Sequence, residues 1–179
     1  RETLLYLGIK DGLEIHHDGD LPARAGLGSS SSFTVGLLHS LNTLKGVVSS
    51  KKQLALDAIE IEQRRLKENV GSQDQVAAAF GGLNRIDFAT DGSFNVQQVS
   101  LSEHRRTMLE KSLMLFFTGT SRNASEIAIE QINATPRKNR ELDTMYHIVK
   151  EAENILCSNV SLLEFGRLLH ESWELKKQL

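Results

Sequence analysis

The chain of 179 residues has a single cysteine, Cys157. No disulfide can form within it, and a reducing compartment is expected. Cys157 itself reads as a small apolar core residue. Proline is almost as scarce: only Pro22 and Pro136 interrupt the sequence, which leaves long stretches in which helices can run. No apolar run approaches the roughly 18 residues of a transmembrane helix. No signal peptide is seen either; the first residue is Arg1 and not Met. Neither sign of charge dominates, with 21 Lys+Arg against 23 Asp+Glu and a net charge of -2. That balance gives no global pull towards nucleic acid or an anionic membrane, and neither is expected as a partner. A hydrophobic share of 40% excludes disorder by composition. The expectation is a soluble, cytoplasmic globular protein of one large or two small domains, read as a piece of a longer chain.

Local patterns divide the chain. Residues 3–9 suit a strand or a short helix. Residues 13–17 alternate weakly towards Asp18-Gly19-Asp20 and suggest a strand and turn. Phe33, Leu37, Leu38, Leu41 and Leu44 fall at helical spacing, closed by Gly46. A second helix is expected over 50–69 with Ser49 or Ser50 as cap, and a short one from Ser72 to Phe80. Residues 83–88 and 94–101 flank Asp91-Gly92 and read as a hairpin. The apolar run 112–117 has the length of a buried strand. Further helices are expected over 122–134, over 138–157 with Leu142, Met145, Val149, Ala152 and Leu156 on one stripe, and from Ser161, which has capping-box spacing to Glu164. The pattern is α+β, with the change to mostly helix near 102–112 marking a domain boundary.

The strongest chemical signal runs from Pro22 to Ser32. Gly26 and Gly28 allow a tight turn and close backbone approach. The helix that follows offers unpaired N–H groups and the positive end of its dipole. Serine hydroxyls add donors. These parts suit phosphate oxygens, although the Gly-Lys-Ser/Thr ending of a Walker A loop is missing; a Gly/Ser linker is the plainer alternative. Glu62 shares a helix face with Ala55, Ala58, Ile59 and Leu66. A carboxylate on an apolar face needs a partner, either a cation or a structural arginine. Asp74 suits the first turn of a helix on dipole grounds alone, but small residues 77–79 and Gly81-Gly82 would let another backbone or a substrate come close. Arg122, after Thr118-Gly-Thr-Ser121, suits bidentate contact with an anion or simply an ordinary helix start.

Together these residues resemble the GHMP kinase superfamily. Pro22-x-x-x-Gly26-Leu27-Gly28-Ser29-Ser30-Ser31 is similar to its phosphate-binding motif, and Gly71-Ser-Gln-Asp74-Gln75 to the segment that carries its catalytic aspartate. Glu62 precedes Asp74 by a spacing similar to that of its metal-binding glutamate. Segments 23–41, 71–88, 115–127 and 168–179 resemble the members that act on phosphorylated sugars. The resemblance implies a ribosomal-protein-S5-domain-2-like N-terminal domain over 1–106 and a ferredoxin-like C-terminal domain over 107–179, both incomplete. It implies ATP and Mg²⁺ as cofactors and a small-molecule sugar phosphate as partner. Gly26, Leu27, Gly28, Ser29, Ser30 and Ser31 would hold the ATP phosphates. Ser30 and Glu62 would coordinate Mg²⁺, Asp74 would be the catalytic residue, and Gln73 and Arg122 would bind substrate. A kinase of another sugar or of a mevalonate-type alcohol, and a ligand sensor without turnover, are the alternatives.

Overall fold

A computed structural model describes residues 1–10, 12–20, 26–116 and 135–179. Pro22, the helix expected over 122–134 and Arg122 lie outside the described residues. The chain divides into two compact units, with the break in the main chain between Gly82 and Leu83.

In the first unit, α1 (Glu2–Tyr6), α2 (Ser29–Leu44), α3 (Lys51–Ile59) and α4 (Gln73–Phe80) pack on one another. Residues 3–9 therefore begin as a helix, and residues 13–17 carry neither helix nor strand. Ser50 caps α3 by accepting from the Gln53 N–H at 3.1 Å. The end of α2 is a Schellman motif: Gly46, at φ 71, donates to Thr43 O, and Val47 donates to Asn42 O. Leu38, Leu54, Ala58 and Ile61 are buried together with Val35, each larger side chain contributing about 1.5–3 kcal/mol. Tyr6 leans on this cluster and donates to Asp57 Oδ1 at 2.7 Å. That hydrogen bond, reinforced by burial, pushes the phenol up to about 12.

Helix α2 is apolar on two sides. Ser31, Thr34, Val35, Leu38, Leu41 and Asn42 form its buried face. Phe33, Leu37 and Leu44, expected on the same stripe as Leu38 and Leu41, instead line an open cavity of about 870 Å³ with residues of the 13–20 segment. His17 meets the Phe33 ring edge-on at 4.8 Å in this wall.

The helix expected over 50–69 changes character part-way. After Ile59 it widens into a π-helical turn, Glu60–Arg65. Leu66 N–H then reaches back to Ile61 O, and Glu68 N–H to Glu62 O. Lys67 stops it in the left-handed region, at φ 57. Such turns insert a residue into the helical register and are frequent at functional sites. Here the turn places Ile61 and Glu62 side by side in the interior, while Leu66, expected on the buried stripe, is exposed.

In the second unit, β1 (Asn84–Phe88) and β2 (Phe94–Gln98) form the expected antiparallel hairpin, with Ile86 opposite Val96 and Phe88 opposite Phe94. Asp91 Oδ1 accepts from Ser93 N–H, and Gly92 takes φ 83 in the turn. Donation from Ser93 holds the Asp91 carboxyl below its ordinary value. Helix α5 (Glu103–Ser112) follows. Its length consumes Ser112, and residues 113–116 carry neither helix nor strand. Met114, Leu115 and Phe116 are largely exposed, so the buried strand expected over 112–117 is not formed at its described positions. Both strands of the described sheet pair only with each other, and a strand needs a ladder partner to satisfy its backbone.

Helices α6 (Asn139–Leu156) and α7 (Leu162–Lys176) pair through Ile148, Ile155 and Leu168, with Ala152 and Phe165 against them. The expected stripe of α6 holds at Leu142, Met145, Ala152 and Leu156, which are buried or half-buried, and fails at one position: Ile148 is inside and Val149 is outside. Cys157, expected in the core, is exposed just past the end of α6. Ser161 caps α7 through the Leu163 N–H, but Glu164 pairs with Arg167 at 2.6 Å and does not fold back into a capping box. The end of α6 is closed by Arg105 of α5, whose guanidinium donates to Leu156 O, Ile155 O and Val160 O. A buried cation thereby meets carbonyls at and just beyond the end of the helix, where Ile155 O also accepts from Ser158. Arg85 of β1 binds Asp87 and also Glu153 of α6, each at 2.8 Å, tying the hairpin to the helix pair.

Candidate active site

The described site is assembled by three chain segments of the first unit: the start of α2, the π-turn after α3, and the start of α4. Gly26 and Gly28 both lie in the left-handed region, at φ 74 and φ 69. That conformation is cheap only for glycine. Gly28 is the N-cap of α2 and offers no side chain, and the first intrahelical bond is Ser32 N–H to Gly28 O at 2.9 Å. The N–H groups of Ser29, Ser30 and Ser31 precede that bond, and the first turn has no acidic residue. Such a helix start is free to receive an anion. Leu27 is exposed and lines the cavity beside it, as do Ser29 and Ser32.

Asp74 is in the first turn of α4 and is exposed. It lies against the N-cap of α2: a Cβ added to Gly28 would fall 3.3 Å from Asp74 Cγ and Oδ2. The carboxyl thus borders the loop that ends in the free amides. Ser72, expected as the cap of α4, is its N-cap residue but makes no side-chain cap bond. Its hydroxyl instead accepts from Gln63 Nε2 at 3.1 Å, and the same amide donates to Val70 O at 3.0 Å. The π-turn thereby holds the connection that sets the position of α4.

Glu62 is buried, with 1% of its surface exposed. Ser31 Oγ donates to its Oε2 at 2.9 Å, and Gln75 Nε2 donates to the same oxygen. Among the described residues no arginine or lysine pairs with it. Glu62 Oε1 has no hydrogen-bond partner and neither does Gln75 Oε1, although both are buried. Orphaned oxygens of this kind fit a hard cation, for which carboxylate and hydroxyl oxygens are suitable donors. The hydroxyl that touches Glu62 belongs to Ser31, whereas Ser30 is exposed one position along the helix. Gln73 is exposed beside Asp74, and Arg122 lies outside the described residues.

Gln75 escaped the sequence reading as a separate participant. Its signal was its place one residue after Asp74 and one before the buried Val76, which puts it on the inward side of a short helix.

Residues 1–82 match the family model described as the GHMP kinases N terminal domain. That span ends where the first compact unit's main stretch ends. Residues 1–82 thus carry the N-terminal domain of the GHMP kinases. Particular relatives narrow the class. The chain is 30% identical over 166 residues to the D-glycero-alpha-D-manno-heptose 7-phosphate kinase of Campylobacter jejuni, covering 91% of this chain and 48% of that protein. It is 32% identical over 121 residues to the galactokinase of Pyrococcus furiosus, covering 67% and 33%. Among solved structures, a D-glycero-D-manno-heptose 1-phosphate kinase from Bacteriodes thetaiotaomicron matches with TM-score 0.69 and 30% identity, covering 90% of this chain and 47% of that one. The chain spans about half the length of the heptose kinases it matches. Among the described residues no helix is long and apolar enough to cross a membrane.

Proposed function

We propose that the chain is part of an ATP-dependent sugar kinase that transfers the γ-phosphoryl group to O1 of D-glycero-D-manno-heptose 7-phosphate. The observation that carries this reading is the contact between Asp74 and Gly28, a carboxyl beside the free amides of a helix start. The names of the heptose-kinase relatives support the sugar.

On this reading the amides and hydroxyls of Ser29 to Ser31 receive phosphate oxygens, with Gly26 and Gly28 letting the backbone approach them. The apolar wall of Leu27, Phe33 and Leu37 suits the flat base of the nucleotide. Asp74 is exposed where an acceptor hydroxyl would come, and it orients that hydroxyl and takes its proton. Glu62 and Ser30 would hold Mg²⁺, with Ser31 Oγ holding Glu62 in place from within. When bound, the ion neutralises charge on the β- and γ-phosphates. Phosphoryl transfer asks the protein mainly for positioning and charge stabilisation, and rigid helix starts supply both. Gln73 and Arg122 are assigned to the sugar phosphate.

The same likeness carries the finer fold reading. Residues 1–106 belong to a ribosomal-protein-S5-domain-2-like domain and 107–179 to a ferredoxin-like domain. The division of the described residues into two compact units supports two domains, but it falls at 82/83 and places β1, β2 and α5 with the second unit. The position of the boundary at 106 rests on the likeness alone.

A panel of sugars and sugar phosphates with ATP, read as ADP release and by the position of the new phosphate, tests the activity. Phosphorylation at O1 of the heptose 7-phosphate is expected. Preference for galactose, or binding of ATP and sugar without ADP release, would replace this reading by another sugar kinase or a sensor. Asp74→Asn is expected to lower turnover by about 10²–10⁴-fold, the usual worth of a general base, with ATP affinity retained. Full turnover in that variant would remove Asp74 from the chemistry.

A further inference from the structure

We infer that Gln75 is a positioning residue for Glu62, steering one carboxylate oxygen towards a cation and holding the other away from it. The inference rests on the proposed kinase reading, because the cation in question is the one that accompanies the nucleotide.

Adjacent residues on one turn of α4 face opposite environments. Asp74 is exposed at the mouth, and Gln75 is fully buried behind it. The Gln75 amide donates to Glu62 Oε2, which also accepts from Ser31 Oγ. Oε2 therefore has two donors and Oε1 has none. A carboxylate free to rotate would share its donors between both oxygens, and here two fixed donors lock the plane. Leaving a buried acceptor unpaired costs about 1–3 kcal/mol. Glu62 Oε1 and Gln75 Oε1 are both in that condition, which marks a place arranged for a partner other than a protein hydrogen bond. Partners that fix the orientation of a metal-binding side chain commonly affect affinity as much as some ligands do.

Placing Gln75 next to Asp74 has a second consequence. One helical turn sets both the carboxyl at the mouth and the carboxyl behind it, so a displacement of α4 moves the two together.

The test compares ATP binding by the full-length protein with Mn²⁺ and with EDTA, by titration calorimetry. Gln75→Met keeps side-chain length and removes the amide; Gln75→Asn keeps the amide and withdraws it. Both are expected to lower the gain in ATP affinity that Mn²⁺ gives by about 10–100-fold, as loss of an orienting partner does, while affinity in EDTA stays within about twofold of wild type. A loss of the same size in EDTA would show a merely structural role and overturn the inference, as would an undiminished Mn²⁺ gain in either folded variant. An undiminished gain in Glu62→Gln would overturn it whatever the Gln75 variants do. Wild-type protein that binds no ATP would instead overturn the kinase reading. Mn²⁺ alone, followed by its electron paramagnetic resonance signal in wild type and Gln75→Met, then decides the inference: equal binding sinks it and weaker binding in the variant sustains it.

Discussion

Gly28 and Asp74 are 46 residues apart in sequence and in contact in space, with the Asp74 carboxyl 3.3 Å from where a Gly28 Cβ would stand. The N-cap of one helix and the first turn of another converge at that point. A glycine is favoured there twice over, once for its φ of 69 and once because a Cβ would push the Asp74 carboxyl by a few tenths of an ångström.

Gly26 and Gly28 separate these two demands. Gly26 has a similar φ of 74, but among the described residues an added Cβ meets nothing within 4 Å. Gly26→Ala and Gly28→Ala should each lose about 1–2 kcal/mol of stability from the left-handed backbone, measured by urea denaturation. Only Gly28→Ala should also displace Asp74. Its turnover should fall below that of Gly26→Ala at saturating ATP and sugar. Equal turnover in the two variants would mean that the Asp74 position does not depend on this contact.

Much of this site was legible because its parts are local. Gly26 and Gly28 before a helix, Asp74 in a first turn and Asp91-Gly92 in a hairpin are all signalled by neighbouring residues. Register was harder. A one-residue shift moved the buried position from Val149 to Ile148 in α6, and sequence spacing cannot tell which of two adjacent apolar residues meets the partner helix. The π-turn at Glu60–Arg65 has no strong propensity signal, and it broke the regular period that placed Leu66 inside. Helix α2 carries two apolar faces, which a single stripe reading merged. Residues 113–116 have strand-like composition, but composition does not supply the ladder partner that a strand needs.

Arg105 was illegible for another reason: its partners at Ile155, Leu156 and Val160 are at least 50 residues away. Removing it should be among the more costly single changes in the second unit. Arg105→Met keeps much of the aliphatic stem and withdraws all three donations, two to the last turn of α6 and one to the Val160 carbonyl in the connection that follows. A loss of about 2–4 kcal/mol is expected, since hydrogen bonds from a charged donor contribute about 1.5–3 kcal/mol and the carbonyls left behind are poorly solvated. Arg105→Lys should recover only part, because a single ammonium cannot match the planar fork. Urea denaturation gives the totals, and hydrogen exchange should show the last turn of α6 opening first. A cost below about 0.5 kcal/mol, the range of ordinary surface changes, would mean that water replaces the guanidinium without penalty.

Ser30 and Ser31 set the resemblance and the geometry against each other. The resemblance gives the metal to Ser30, whereas Ser31 is the hydroxyl bonded to Glu62 and only 4% exposed. Ser31→Ala withdraws one of two donors from a buried carboxylate and should cost about 1–3 kcal/mol in urea denaturation. Ser30→Ala touches an exposed hydroxyl and should remain within about 0.5 kcal/mol of wild type. If Ser30 nevertheless binds the ion, Ser30→Ala will weaken ATP binding in Mn²⁺ and leave it unchanged in EDTA, with no loss of stability. The two serines then divide the work, Ser31 holding Glu62 in place from within and Ser30 meeting the ion from the solvent side. Loss of stability in Ser30→Ala together with none in Ser31→Ala would reverse their assignment, and would mean that α2 sits one residue further round than its buried face of Ser31, Val35 and Leu38 requires.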